Sequence, residues 1–320
     1  MKTVLSLDGG GIRGLIPALV LAELEKRVGR GIAQMFDLIA GTSTGGILAL
    51  GLNVDDGNQR PRYSATDLAR LYRDRGRDIF SRSLWKGVSS VGGLADEKYS
   101  ADGLEKLLEE YFGNEPLGSC LTRTLVTAYD IEHRAPYFFK SWRETWRSVE
   151  MRHVARATSA APTYFEPALV PVGSSQIALI DGGVFINNPA MSAYAEAVRL
   201  FDNPEDIVVV SIGTGELTRP IDYREARDWG MTAWLQPLLG SVFDGVSDAA
   251  NYQLDKLLGN RFIRFQVNLD IASDDMDNAT RGNIENLATE ARRLIKSQRH
   301  DLDRLTALFT ATEALTAVPS

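Results

Sequence analysis

Two side chains that often carry chemistry are scarce in this chain: its 320 residues include one cysteine and three histidines. A single cysteine, Cys120, rules out an intrachain disulfide and suits a reducing compartment, so a cytoplasmic location is expected. Cys120 itself reads as a small core residue. Positive charge is also short, with 35 Lys and Arg against 42 Asp and Glu and a net charge of -7. That balance argues against a nucleic-acid partner, and any contact with an anionic membrane would have to be local and apolar. No hydrophobic run is long enough to span a bilayer, because the longest uncharged stretch, 38 to 54, is interrupted by Gly, Thr and Ser. Met1 and Lys2 lead straight into a strand pattern over Thr3 to Leu7, so no signal peptide is read. No tandem repeat or low-complexity segment is visible. What is present is an ordinary globular composition, 44% hydrophobic and 24% charged, with enough apolar material for a sizeable core.

The most informative stretch is 37 to 48. Phe36 to Ala40 is an apolar run of strand length, and Ile47, Leu48, Leu50 and Leu52 continue as a helix. Between them stands Gly41-Thr42-Ser43-Thr44-Gly45, a G-x-S-x-G sequence at a strand-to-helix turn, which is the setting of a nucleophile elbow. Gly41 and Gly45 allow strand and helix to pass closely and hold Ser43 on a strained bend. A glycine-rich turn that simply buries a serine fits the same letters.

Upstream, Val4 to Leu7 reads as a strand and Leu15 to Val28 as a helix with Leu15, Leu19, Ala22 and Leu24 facing inward. The first fifty residues thus make a β-α-β-α unit, which implies a parallel sheet covered by helices. The glycine run Gly9 to Gly14 between that strand and helix admits three readings. G-x-G-x-x-G suits a dinucleotide fold, but this needs an acidic residue at the end of the second strand, and Asp37 lies at its beginning. Consecutive glycines also suit an oxyanion hole, with unobstructed N–H groups and a helix dipole aimed at one spot. A plain tight turn is the third reading.

Further along, Thr66 to Phe80 and Asp102 to Tyr111 read as helices. Ser81 to Lys98, with Leu84, Trp85, Val88, Val91 and Leu94, reads as a long loop or a lipid-contacting flap. Strands are expected at Thr122 to Tyr129, Tyr137 to Lys140, Gln176 to Ile180, Ile207 to Ile212 and Arg261 to Val267. Ala157 to Phe165 is small and then aromatic, as tight packing under a site requires. The region from Arg224 to Leu258, with Trp229 and Trp234, is expected to be helical in parts, and Ile284 to Leu308 to close the chain as one amphipathic helix. Asp274, Asp275 and Asp277 lack an EF-hand pattern and read as a solvated loop, so no metal or other cofactor is expected.

A serine nucleophile needs a base. His133 falls in a polar turn, His153 beside Arg152 and Arg156, and His300 in the basic end of the last helix, and none stands at a strand end or a glycine turn. Asp181, at the end of a strand and before Gly182-Gly183, is the best remaining base, although a turn-forming aspartate would look the same. An unperturbed Asp, with a pKa of about 3.9, is a weak base for a hydroxyl, so the pairing requires a dry pocket that raises it.

These features together resemble the patatin-like phospholipases. That family combines G-G-G-x-[RK]-G, G-x-S-x-G and a later D-G-[GA], here Gly9 to Gly14, Gly41 to Gly45 and Asp181 to Gly183. The likeness spans most of the chain, at least to about residue 270. It implies a three-layer α/β/α fold with a mostly parallel central sheet, as a single domain over 1 to 320. It further implies a lipid acyl hydrolase acting on phospholipids or lysophospholipids through a Ser43–Asp181 dyad. Gly9, Gly10 and Gly11 would form the oxyanion hole, with Arg13 supporting that loop and the Thr44 N–H adding a donor. The segments around Trp85 and Trp234 are candidates for peripheral membrane contact. Two competing readings are a phospholipase effector gated by a small-molecule activator and a nucleotide-binding module without hydrolysis. Some bacterial relatives respond to cyclic dinucleotides in phage defence, and the arginine-rich stretch Arg62, Arg70, Arg73, Arg75, Arg77 and Arg82 could supply a basic pocket. Oligomeric state is not fixed by any of these residues.

Overall fold

Strands β1 (Lys2–Leu7), β2 (Leu38–Thr42) and β7 (Ile207–Ile212) are almost wholly buried. Such strands need cover on both faces, and parallel pairing under helices provides it. The computed structural model describes residues 1–79, 100–216 and 220–316. The remaining strands are β3 (Arg123–Asp130), β4 (Ala135–Lys140), β5 (Ala168–Val172), β6 (Ser175–Asp181) and β8 (Phe262–Phe265). They form one sheet in the order β5-β6-β3-β2-β1-β7-β8, with β4 paired to β3. The run β3-β2-β1-β7-β8 is parallel throughout. The pairs β3–β4, β3–β6 and β5–β6 are antiparallel. The sheet is therefore mixed but mostly parallel, as expected.

The longer helices are α1 (Leu15–Val28), α2 (Thr44–Gly51), α3 (Ala65–Ile79), α4 (Asp102–Phe112), α5 (Met151–Thr158), α6 (Ala190–Leu200), α7 (Met231–Leu258), α8 (Arg281–Ser297) and α9 (Arg299–Thr316). Successive strand residues face opposite ways, and the core divides accordingly. Val4, Leu38, Leu125 and Val209 pack with Ala190, Ala193 and Leu254 of α6 and α7. Their neighbours Leu5, Ile39, Val126 and Val210 pack with residues of α1 to α5, α8 and α9. This is a three-layer α/β/α arrangement. No helix among the described residues is long and apolar enough to cross a membrane.

Several expectations are corrected. The closing helix is two, α8 and α9, broken at Gln298. The Gln298 amide donates to the Arg264 carbonyl at 2.7 Å and its oxygen accepts from the Gln266 N–H at 3.1 Å. The side chain thus satisfies the open edge at β8, and the local helix yields to it. The region from Arg224 to Leu258 is helical in parts, as expected: a short helix, Tyr223–Ala226, precedes the 28-residue α7, which has Pro237 inside it. Helix α1 is buried along Leu15, Ile16, Val20, Leu21 and Leu24, whereas Leu19 and Ala22 are only partly covered. Contacts with α3, α8 and α9 surround it, so no single stripe marks its inner side. The segment holding Trp85 lies outside the described residues, as does Arg82.

The last correction concerns Asp181. It ends β6, but β6 runs antiparallel to β3 and meets just three residues of that strand, Ala128 to Asp130. Strand β3 overshoots its parallel neighbour, whose register with it ends at Thr42↔Thr127. β6 enters along that overhang and delivers Asp181 opposite Ala128, beside the elbow. The expected place is right, but the strand arrives from the other direction.

Two close approaches fix the β2–α2 turn. A Cβ on Gly41 would collide with the Gly45 carbonyl, and one on Gly45 would collide with the Leu7 carbonyl. Backbone atoms on both sides leave no flexible group to give way. Gly45→Ala is therefore expected to lower the unfolding free energy by about 2 kcal/mol or more, measured by denaturant titration. Gly245→Ala, in α7 with open space around its Cα, should instead gain roughly 0.5–1 kcal/mol from helix propensity. Equal effects would show that the packing at the turn is not tight.

Candidate active site

Ser43 stands between β2 and α2 with φ 55° and ψ -124°. This is an unfavourable conformation for a residue with a side chain, and surrounding bonds must hold it. Each residue of the turn is anchored by a hydroxyl from a different element. Thr42 Oγ1 lies 2.7 Å from Thr127 Oγ1 of β3 and donates to the Ile186 carbonyl at 2.8 Å. The Ser43 N–H donates to Thr158 Oγ1, at the end of α5, at 2.8 Å. Thr44 Oγ1 is 2.5 Å from the Tyr72 hydroxyl of α3. Thr127, Thr158 and Tyr72 are buried. Nothing in the residue pattern sets these three hydroxyls apart. Thr158 lies within the small-residue run read as packing, and Tyr72 on a helix read only as amphipathic.

Ser43 Oγ donates to Asp181 Oδ2 at 2.6 Å. The other carboxylate oxygen accepts the Gly183 N–H at 2.7 Å, and the Asp181 N–H is bound to the Ala160 carbonyl at 3.0 Å. Asp181 is only 3% exposed. Burial raises its pKa from the usual carboxylate range to about 7, while the bonds from Ser43 and Gly183 favour the charged form and limit the rise. The dry environment required of a carboxylate base is present.

The glycine loop faces this pair. The Gly9 N–H is bound to the Asn187 carbonyl at 3.0 Å and the Ile12 N–H to the Met276 carbonyl at 2.8 Å. Between them, the N–H groups of Gly10 and Gly11 have no acceptor among the described residues. Gly11 has φ 58°, and a Cβ there would strike the Met276 carbonyl, so only glycine fits. Buried Arg13 donates from Nε to the Gly10 carbonyl at 3.3 Å and from Nη1 to the Gly215 carbonyl at 3.4 Å. Before the loop, buried Asp8 accepts from Arg264 Nη2 at 2.6 Å, and Arg264 Nη1 reaches Ser211 Oγ at 2.7 Å. This pair ties the loop's entrance to β7 and β8.

The loop of Asp274 and Asp275, expected to be merely solvated, lies at the site. Met276 closes over Gly11, and all three residues line the same cavity as Ser43. Buried Glu290 of α8 accepts the Asp270 and Ile271 N–H groups at 3.1 and 2.9 Å and holds that loop down. The cavity has a volume of about 520 Å³. Ser43 and Asp181 are on its surface with Gly10, Gly11, Arg13 and Thr44, and Ile47, Ile79, Phe165, Trp229 and Phe243 supply apolar wall.

None of the three histidines lines the cavity. His133 is bound to Asp130 at 2.9 Å and His153 faces Glu150 at 3.4 Å. His300 stands in the first turn of α9. Asp37, the acidic residue a dinucleotide site would have needed, pairs with Lys2 and the Thr3 N–H at the opposite end of the strands. Arg62, Arg70 and Arg75 are engaged with Glu115, Asp67 and the Asp78–Glu110 pair. Among the described residues no group of three or more His, Cys, Asp or Glu is placed to hold a metal ion.

Burying Asp181 has a thermodynamic consequence. Its folded pKa of about 7 exceeds the unfolded value near 4, so the native state holds the proton longer. Stability from this residue is greatest below about pH 4 and is lost as pH rises towards 7. Asp181→Asn should therefore become more stable relative to wild type between pH 4.5 and pH 8. Denaturant unfolding at both values measures this, and a pH-independent difference would contradict the raised pKa.

Comparison with known proteins bears on the whole arrangement. A family model for patatin-like phospholipases matches residues 5–194. Patatin-like protein 4 of Arabidopsis thaliana is 31% identical, over 96% of this chain and 86% of its own. Patatin-like protein 1 of the same plant is 32% identical, over 90% and 80%. Patatin-17 of Solanum cardiophyllum is 29% identical, over 92% and 84%. With the elbow, the glycine loop and the aspartate all within the matched residues, the chain belongs to the patatin-like phospholipase family.

Proposed function

We propose that this protein hydrolyses fatty acyl esters of phospholipids or lysophospholipids, with Ser43 as nucleophile and Asp181 as base. The observation that carries this reading is the 2.6 Å bond between Ser43 Oγ and a buried carboxylate at the surface of a partly apolar cavity. Asp181 takes the Ser43 proton as Oγ attacks the ester carbonyl. The negative oxygen of the tetrahedral intermediate accepts hydrogen bonds from the Gly10 and Gly11 N–H groups and from Thr44 at the N-terminus of α2. Arg13 keeps the Gly10 peptide oriented. Collapse expels the lipid alcohol, which receives its proton from Asp181. Water, deprotonated by Asp181, then cleaves the acyl-enzyme and releases the fatty acid. Nucleophile, base and oxyanion donors are all supplied by the chain, so the reading needs neither metal nor cofactor. It treats residues 1 to 320 as a single domain working in the cytoplasm and meeting lipid at a membrane surface.

Support for surface contact comes from α7. Met231, Trp234, Leu238 and Val242 are spaced by three or four residues and are all exposed, at 91%, 36%, 51% and 37%. They form one apolar stripe near the cavity's Trp229 wall, where Trp229 and Trp234 meet edge to face at 5.2 Å. Tryptophan suits a boundary that is apolar on one side and wet on the other.

Ser43→Ala should abolish fatty-acid release from phospholipid vesicles and from a short-chain p-nitrophenyl ester while the protein stays folded. Retained hydrolysis would refute the assignment. For wild type, kcat/KM on the neutral ester should rise with pH and level off above a midpoint near 7, because the base must be unprotonated. A flat profile between pH 5 and 8 would exclude Asp181 as the base. In liposome flotation, Trp234→Ala with Leu238→Ala should lower the bound fraction severalfold, and unchanged flotation would refute contact through α7.

A further inference from the structure

We infer that Tyr72 is a positioning residue for the oxyanion hole, acting through Thr44; this rests on the catalytic reading above. The ring alone would explain a buried aromatic on α3, but the hydroxyl needs a separate reason. Burying a phenol hydroxyl is costly unless it is bonded. Here both of its bonds go to one residue: Thr44 Oγ1 at 2.5 Å, and the Thr44 carbonyl, to which it donates at 3.1 Å. Tyr72 is 3% exposed, and burial keeps its phenol protonated well above neutral pH.

Thr44 is the first residue of α2, so its N–H has no partner within the helix and is available to a ligand. Where that N–H points depends on the first turn of the helix, which Tyr72 holds from the side. The same hydroxyl region touches the other half of the hole. Gly14 ends the glycine loop, and a Cβ on it would strike Thr44 Oγ1 and come within 2.9 Å of the Tyr72 ring. One turn along α3, Gly76 is packed against Ile12 of that loop, and Arg77 Nε donates to the Ala279 carbonyl at 3.3 Å. Helix α3 therefore braces the nucleophile helix and the glycine loop, and Tyr72 is its polar contact with Thr44.

The test is Tyr72→Phe, which keeps the ring and removes only the oxygen. On a short-chain p-nitrophenyl ester, kcat should fall about ten- to a hundredfold with KM changed by less than about threefold, as for loss of an interaction made in the transition state. The pH midpoint should stay in place, because Asp181 is untouched. Affinity for a trifluoromethyl ketone that forms a tetrahedral adduct on Ser43 should fall by the same factor as kcat/KM. Thr44→Val should lose activity like Tyr72→Phe, the two together should be no worse than the weaker single variant, and Thr44→Ser, which keeps the hydroxyl, should lose less. Wild-type kcat in Tyr72→Phe, a displaced pH midpoint, or additive losses in the double variant would overturn the inference. If Tyr72→Phe does not fold, equal activities of Thr44→Ser and Thr44→Val would overturn it. Loss in Ser43→Ala beside full activity in Tyr72→Phe defeats only this inference, whereas full activity in Ser43→Ala defeats the catalytic reading with it.

Discussion

The structure depends on how closely α2 passes the ends of β1 and β2. With no Cβ on Gly41 or Gly45, the helix starts directly above the strand and its first residues lie against the Leu7 carbonyl. That proximity forces Ser43 into its φ 55° bend and sets the N-terminus of α2 beside the glycine loop that follows β1. Each further feature of the site answers to this bend. Hydroxyls from β3, α5 and α3 hold its three central residues, and the Met276 loop closes over the facing glycines. A strained turn persists only where its surroundings overdetermine it, and here the restraints come from separate layers of the fold.

Electrostatics at the site follow from burial. Asp181 is almost wholly buried at the cavity wall, bonded to one hydroxyl and one peptide N–H, and among the described residues no cation stands beside it to hold its charge. Asp8 is equally buried and burial raises its pKa as well, but Arg264, 2.6 Å away, opposes that rise. The two aspartates divide the work: Asp8 is a paired strut at the entrance to the glycine loop, and Asp181 is left with a carboxyl whose charged form is costly. That cost weakens the fold at neutral pH, and under the proposed mechanism it is what makes Asp181 a stronger base, so that stability yields to chemistry.

Much of this was legible in the residues. The elbow, the glycine run and the D-G-G turn are local sequences, each open to a plain-turn reading alone, and their order along the chain is what carried the likeness to the family. The buried runs at β1, β2 and β7 likewise required a covered parallel sheet. Less legible were features in which a side chain serves a distant backbone. The break at Gln298 arises because its amide completes the edge of β8, and nothing in the helical pattern of Ile284 to Leu308 foretells it. The direction of β6 was also hidden, since an antiparallel strand entering along the overhang of β3 has the same letters as a parallel one.

The sequence by itself determined a covered, mostly parallel sheet and the strand-to-helix turn that carries Ser43, because glycine placement and apolar periodicity constrain the backbone within a few residues, and its ordered motifs carried the family likeness that singled out Asp181 as candidate base. Tertiary structure alone decided that Ser43 and Asp181, 138 residues apart, come within 2.6 Å. It also decided that Thr158 and Tyr72 hold the turn, that an acidic loop lies over the glycines and that α7 turns an apolar stripe outward. Those outcomes depend on burial and on which hydroxyl meets which peptide group, and such quantities exist only once distant segments have packed together.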